Sequence, residues 1–358
     1  MDHPIRIAHF SPLDDTRGGI STVVSNYRGS ELARAFEMTF IQTHADGSRV
    51  KKLAVAGRAL MQAVRLVLHR PPDMIHVHVG DFPSLYRKAA VILPLLMRRT
   101  KSILHFHGAN FMVEYARLPH GRRRFVRWFL RRFDVVLCLS ESWRRDLTAE
   151  FGLSQTVVLP NAVSVPALQS PGRTSPEEPL ELLFMGLIGE RKGLFDLLEA
   201  MEVACRRGVE VRLAIGGNGD VERLTGRLSA SPALAGRVRY LGWIGGKERE
   251  QAFLSAHTYV LPSYAEGMPM SVLEAMSYGL PVVSCPVGGI PELVDDRSAI
   301  LVQPGDTERL ADAICRLAKD ETARREMAQA AADRVRAHFD LHHHNTRLAS
   351  IYRALHSR

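Results

Sequence analysis

Two glutamates eight residues apart, Glu266 and Glu274, stand in the stretch SYAEGMPMSVLEAMSYGLPVV, residues 263–283. The first sits beside a Gly267-Met268-Pro269-Met270 turn, and the second falls two helical turns further on. Paired carboxylates can work as general acid and base in hydrolysis. They also accept pairs of O–H donors, as a hydroxyl-rich ligand would offer. Partly helical chain of this length separates them by roughly 10 Å.

The cations and glycines favour the second use. MGLIGERKGLFDLLEA, residues 185–200, brings Gly189, Arg191, Lys192 and Gly193 to the start of an expected helix directly after an expected strand. Arginine offers a planar fork and lysine a point charge, so the pair could clamp a diphosphate. SPLDDTRGGISTVV sets Gly18-Gly19 at another helix start, and CPVGGIPELV does the same with Gly288-Gly289. Free N–H groups and the positive end of the helix dipole make such places anion sites. GGNG at 216–219 is no dinucleotide fingerprint and reads as a plain turn. A diphosphate leaving group is handled either by a metal or by cations and dipoles. The aspartate pairs, Asp14-Asp15 and Asp295-Asp296, are adjacent rather than D-x-D. The expectation is therefore a site with no metal and no cofactor.

Two further clusters need weighing. His76 and His78 alternate on one expected strand, and His105 and His107 on the next, so each pair shares a face. Convergence of all four on a metal is conceivable, but no carboxylate or cysteine joins them. Three are expected to line a cleft or core, with His107 functional. His342-His343-His344 is expected on a surface helix. RLPHGRRRFVRWFLRRF, 117–133, has seven arginines and no acid. In a helix Phe125, Phe129 and Phe133 align, with Arg124, Arg127 and Arg131 on a neighbouring face. Arg122, Arg123, Arg124, Arg127, Trp128 and Arg131 are thus candidates for contact with an anionic membrane surface or acceptor. The competing reading makes the aromatic stripe domain core. Nucleic acid is not expected, because no recognised binding motif accompanies the charge.

Repeated strand and helix patterns must position these residues. Runs rich in Ile, Val and Phe at 5–10, 38–43, 74–79, 102–107, 135–140 and 156–160 form a first series. A second lies at 181–186, 211–217, 238–243, 258–262, 281–285 and 299–304. Alternation with helical patterns predicts an α/β chain with two doubly wound parallel sheets, binding ligand at a cleft between them. The expected domains are 1–163 and 180–340, joined by a proline-rich linker at 164–179. Residues 1–163 carry 24 Lys and Arg against 13 Asp and Glu, whereas 164–358 carry 23 against 25. An anionic surface should therefore meet the first domain. Cys138, Cys205, Cys285 and Cys315 are scattered, as suits a reducing cytosol. The longest apolar run, 89–97, is far short of the ~20 residues of a spanning helix. No signal peptide is evident at MDHPIRIAHFSP. A cytoplasmic protein, peripheral at the inner face of the cell membrane, is expected.

The second half resembles the nucleotide-binding domain of glycosyltransferase family 4, retaining enzymes of the GT-B fold. The resemblance rests on LLFMGLIGERKGLFDLLEAM, VRLAIGGNGD, VRYLGWI, LPSYAEGMPMSVLEAMSYGLPVVSCPVGGIPELV and LVQPGDTERLADAI, with its E-x7-E spacing of Glu266 and Glu274. In the first half it rests on SPLDDTRGGI, LHFHGANF, LSES and LPNAV. It implies that Glu266 accepts hydrogen bonds from the donor sugar and Glu274 from the ribose. Arg191 and Lys192 would neutralise the departing diphosphate. Gly267, Met268, Pro269 and Met270 would line the donor, with Gly18 and Gly19 approaching its phosphate or sugar from the first domain. His107 would face the reacting centre, and helix 341–358 would pack back on the first domain.

The expected activity is metal-independent, retaining transfer of a hexose from a nucleoside diphosphate sugar, UDP favoured, to an acceptor hydroxyl, with a lipid-linked glycan in polysaccharide synthesis as acceptor. Two rivals use the same motifs. A nucleotide-sugar epimerase would need further acids in the first half, for which Asp14 and Asp15 qualify. A non-catalytic sugar-nucleotide-binding subunit would have little reason to keep Arg191 and Lys192 beside the sugar loop.

Overall fold

The structure is a computed structural model that describes residues 3–13, 16, 18–167, 169–170 and 178–358. Asp14 and Asp15, and half of the expected 164–179 linker, lie outside the described residues. The chain divides into two compact units, 1–162 with 341–358, and 163–340.

The first unit is built on a six-stranded parallel sheet. Its strands are β1 (Arg6–Ser11), β2 (Glu37–Gln42), β3 (Met74–Val79), β4 (Lys101–Phe106), β5 (Val135–Cys138) and β6 (Thr156–Val158), in the order β2-β1-β3-β4-β5-β6. Every residue of β3 and β5 is buried, as expected of strands covered by helices on both faces. β1 pairs with β2 on one side and β3 on the other, so the winding direction reverses between β1 and β3. The core joins Phe10, Val77 and Leu104 of the sheet to Leu85 and Ile92 of helix Phe82–Met97 and to Phe129 and Phe133.

The second unit repeats the plan with β7 (Leu180–Met185), β8 (Val211–Gly216), β9 (Val238–Gly242), β10 (Thr258–Leu261), β11 (Val282–Ser284) and β12 (Ala299–Leu301). Their order is β12-β11-β10-β7-β8-β9, and the winding reverses between β7 and β10. In both units the loops after the strands flanking the reversal are where doubly wound sheets bind ligands. GGNG follows β8, where Ile188 donates to the Asn218 carbonyl at 2.7 Å. Gly217 and Gly219 pack against the backbone of Gly186 and Ile188, and Gly216 against the Met185 side chain.

All twelve strands expected from the sequence are present, with ends shifted by up to three residues. The arginine-rich helix is shorter than expected, His120–Leu130. Its aromatic stripe divides: Phe129 and Phe133 are buried core, while Phe125 and Trp128 stay partly exposed. Arg127 pairs with Glu150 at 2.8 Å, and Arg131 donates to the Phe151 carbonyl at 2.8 Å. Arg123 bonds the Ala116 carbonyl. These contacts hold the helix to its own unit, and the part of the stripe formed by Phe129 and Phe133 is core. Arg122 and Arg124 are exposed.

The histidine run also needs correction. It lies on the final helix, Leu341–His356, where His342 and His343 are exposed but His344 is buried. His344 bonds the Pro160 carbonyl at 2.8 Å and the Tyr27 hydroxyl at 3.0 Å.

Candidate active site

β7 and β10 are neighbours, so the loops leaving their carboxyl ends emerge side by side. The β7 loop turns through a short 3-10 helix, Glu190–Lys192, and the β10 loop runs from Pro262 to Pro269 ahead of helix Met270–Ser277. Gly193 makes their approach possible. It has φ +66°, and a Cβ there would lie 2.0 Å from the Pro262 carbonyl oxygen, so no other residue fits without moving the loop.

Lys192 and Glu266 meet across this junction, with Nζ 2.5 Å from Oε1. The Ser263 hydroxyl donates to the same carboxylate oxygen at 2.7 Å. Lys192 is 13% and Glu266 6% exposed at the side chain. A carboxylate so enclosed needs both partners. Arg191 is exposed, spends one donor on the Ala265 carbonyl at 2.9 Å, and accepts from the Tyr264 N–H at 2.9 Å through its own carbonyl. The two adjacent cations thus brace three consecutive residues of the glutamate loop, Tyr264, Ala265 and Glu266. Gly288 closes it from below: its φ is +56°, and a Cβ would fall 1.7 Å from the Glu266 carbonyl oxygen. The Gly289 N–H donates to the Gly267 carbonyl at 2.6 Å. Gly267, Met268, Pro269 and Met270 are all buried.

Glu274 has a different partner. It lies on helix Met270–Ser277, 19% exposed at the side chain, and is bonded by the Arg249 guanidinium. The two glutamates therefore carry separate counter-cations, which suits two ligand parts better than one acid–base pair. Beside them the Tyr264 phenol is pushed up to about 12 by its hydrogen bond to Asp196, whose own carboxyl is raised by burial.

In the first unit, Gly18 precedes helix Gly19–Arg28 in the loop after β1. His107 follows β4, with its N–H on the Val79 carbonyl at 2.8 Å. The four paired histidines lie on one side of the sheet and are joined by His9 of β1, which is in register with His76. His107 Nε2 is 3.1 Å from His78 Nδ1, His78 Nε2 is 3.3 Å from His9 Nδ1, and His9 Nε2 is 3.5 Å from the Tyr352 hydroxyl. That hydroxyl lies 2.6 Å from His76 Nδ1, and His76 Nε2 lies 3.3 Å from His105 Nδ1. Burial pushes His9 and His107 down to about 3 and holds His76, His78 and His105 well below the usual imidazole range. Two triplets, His9–His76–His78 and His78–His105–His107, have ligand atoms within 4.8 Å of one another and are the groups among the described residues able to gather round a metal ion. His9, His76 and His78 each already use both ring nitrogens within the chain.

Several contributors carried no sequence signal. His9 stands alone in its strand, Tyr352 is distant in the chain, and Arg249 gives no hint of its bond to Glu274. Lys88 is fully buried in helix Phe82–Met97, bonded to the Ser84 hydroxyl at 2.6 Å, and burial pushes it down to about 7. Ser263 was within sight, since it sits three residues before Glu266.

The pattern for "Glycosyl transferases group 1" matches residues 179–320, and that for "Glycosyltransferase Family 4" matches residues 17–165. A putative colanic acid biosynthesis glycosyltransferase of Escherichia coli, WcaL, is 30% identical over 305 residues, covering 79% of this chain and 72% of that protein. The amylovoran biosynthesis glycosyltransferase AmsK of Erwinia amylovora is 27% identical over 317 residues, covering 84% and 75%. Among solved structures, sucrose-phosphate synthase from Thermosynechococcus elongatus superposes with a TM-score of 0.81 at 20% identity, covering 99% of each chain. Anabaena HepE, in complex with UDP-glucose, gives 0.76 at 16%, covering 98% of this chain and 100% of that one.

Proposed function

The chain belongs to glycosyltransferase family 4 and is a glycosyltransferase, and from that premise we propose that it moves a hexose from UDP to a lipid-linked glycan in polysaccharide synthesis, with retention and without a metal. The Lys192–Glu266 pair at the reversal of the second sheet carries this reading. It sets a carboxylate able to accept from sugar hydroxyls against a cation able to meet the adjoining phosphate. Glu274 takes the ribose hydroxyls, and Arg191, with most of its five donors uncommitted in its one described bond, takes the diphosphate. The preference for UDP is supported by HepE, which binds UDP-glucose on the same fold.

In the proposed step the bond from the anomeric carbon to the diphosphate oxygen breaks while the acceptor oxygen bonds to that carbon on the same face. The departing phosphate oxygen takes the acceptor hydroxyl proton, so no side chain need become a covalent nucleophile. Lys192 and Arg191 hold the charge that builds on the diphosphate. Glu266 orients the sugar. Gly18, Gly19 and His107 are assigned to the donor and acceptor from the first unit.

The test is a thermal-shift panel of UDP, GDP, ADP and dTDP with their common sugars, in EDTA. A ligand at a hundred times its dissociation constant adds about 2.7 kcal/mol. A shift for UDP, kept in EDTA and changed by its sugar, supports the reading. A shift for another base alone corrects the donor, and a shift abolished by EDTA overturns the metal-free mechanism.

A further inference from the structure

The first unit carries an amphipathic surface on an element other than the arginine-rich helix. Helix Arg49–His69 is 21 residues long, about 31 Å. Its core-facing side is narrow: Val55, Ala59 and Ala63 are its buried residues. On the opposite side Val50, Leu53 and Leu68 are 77%, 73% and 67% exposed, and Met61 and Val64 are also exposed. At 100° per residue these five fall within an arc of about 80°, roughly opposite the buried alanines. A soluble helix normally turns charge to solvent there. Lys51, Arg58 and Arg65, seven residues apart, form a row along one flank. The helix contains no Asp or Glu.

The neighbouring helix adds a further exposed apolar residue. Phe82–Met97 packs against Arg49–His69, and Arg98, just beyond it, bonds the Val67 carbonyl. Met97, at the end of Phe82–Met97, is itself 77% exposed. Arg98 and Arg99 follow that helix in the chain, and Arg65 and Arg70 lie at the end of Arg49–His69; all four are exposed.

We propose that Arg49–His69 lies flat in the headgroup layer of an anionic lipid bilayer, apolar stripe down and basic row against the phosphates. Charge complementarity selects this occupant: a row of cations beside large exposed apolar residues, with no acid along the whole helix, matches an anionic lipid surface. Among the described residues no helix is long and apolar enough to cross a membrane, so the contact is interfacial. The proposal deepens the lipid-linked acceptor reading and rests on it only for the choice of a membrane as partner.

The experiment is vesicle co-sedimentation of the full chain, without donor or acceptor, so that its failure is separable from failure of transfer. Vesicles of phosphatidylcholine alone are compared with vesicles containing a third phosphatidylglycerol. The wild type is expected to bind the anionic vesicles, more weakly as salt rises. Leu53→Ser with Leu68→Ser, and separately Arg58→Glu with Arg65→Glu, should each weaken binding by about tenfold or more, with circular dichroism and melting unchanged. Arg122→Glu with Arg124→Glu should bind like wild type. A bimane label on Leu53→Cys should shift to the blue on anionic vesicles. Overturning results are absence of wild-type binding, binding lost in the Arg122/Arg124 variant but kept in the other two, or a wild-type dimer in sedimentation velocity that Leu53→Ser with Leu68→Ser dissociates while no variant binds vesicles.

Discussion

Lys192 Nζ stands 2.5 Å from Glu266 Oε1, closing an ion pair between the loops of two adjacent strands 74 residues apart in the chain. The pair is enclosed but not sealed, so it has both a structural cost and a use. Removing one partner from such a pair costs about 3 kcal/mol because the other is left uncompensated. Glu266→Gln and Lys192→Gln should each destabilise the second unit by about that amount, and the double variant by clearly less than the sum in urea titrations. An additive double variant would show that the two groups do not sense each other. For catalysis, Glu266→Ala should lower kcat about 100-fold or more, with the Kd for UDP within about threefold of wild type.

Glu274 should show the reverse pattern. Charge-assisted hydrogen bonds of this kind are worth about 1.5–3 kcal/mol, so Glu274→Gln should weaken UDP binding by roughly 10- to 150-fold. Arg249→Met, which removes its counter-cation, should weaken binding less and also lower stability. Isothermal titration with UDP, and with a uracil nucleotide lacking ribose hydroxyls, checks both. Unchanged UDP affinity in Glu274→Gln would remove the residue from the ribose.

Gly288 is a backbone requirement, since its φ is +56° and a Cβ would overlap the Glu266 carbonyl. A non-glycine residue held at such an angle costs about 1–3 kcal/mol before the clash is counted. Gly288→Ala should lower the melting point and transfer activity together. Gly226→Ala, at a helical position where a Cβ meets open space, serves as the control and should be neutral or stabilising.

Lys88 gives a pH signature. Its folded pKa is pushed down to about 7, against 10.5 in the unfolded chain, so between those values unfolding takes up a proton. Stability should therefore rise with pH across that window, by roughly 1.4 kcal/mol per unit at most, and lie flat below pH 7. Lys88→Met should abolish this slope and be the more stable form near neutrality. Parallel slopes for the two proteins from pH 7 to 10 would mean that Lys88 is charged in the fold.

The strands were legible because each is a short run of Val, Ile, Leu or Phe between glycines, prolines and polar turns; Met74–Val79 and Val282–Ser284 are examples. Strand ends were less so: β5 stops at Cys138 although Leu139 and Ser140 continue the pattern. In the site, glycine and charge spacing marked the loops, yet which cation meets which acid follows from strand order, which no local pattern records. Helix Arg49–His69 is apolar on two opposite sides, so its pattern does not reveal which side the core takes. His344 escapes the pattern for a similar reason: two exposed neighbours hide a residue that turns inward.

The imidazole chain from His107 to His105 has a consequence of another kind. A neutral ring donates through one nitrogen and accepts through the other, so the bonds linking His107, His78, His9, Tyr352, His76 and His105 must all point the same way. Run from His107, the chain ends on a buried His105 Nε2–H, a nitrogen with no partner. Run from His105, it ends on a bare lone pair there, which costs less than an orphaned N–H, and leaves the proton of His107 on Nδ1. The orientation of one buried phenol, on the last helix of the chain, is thus a vote on which face of His107 is acid and which is base.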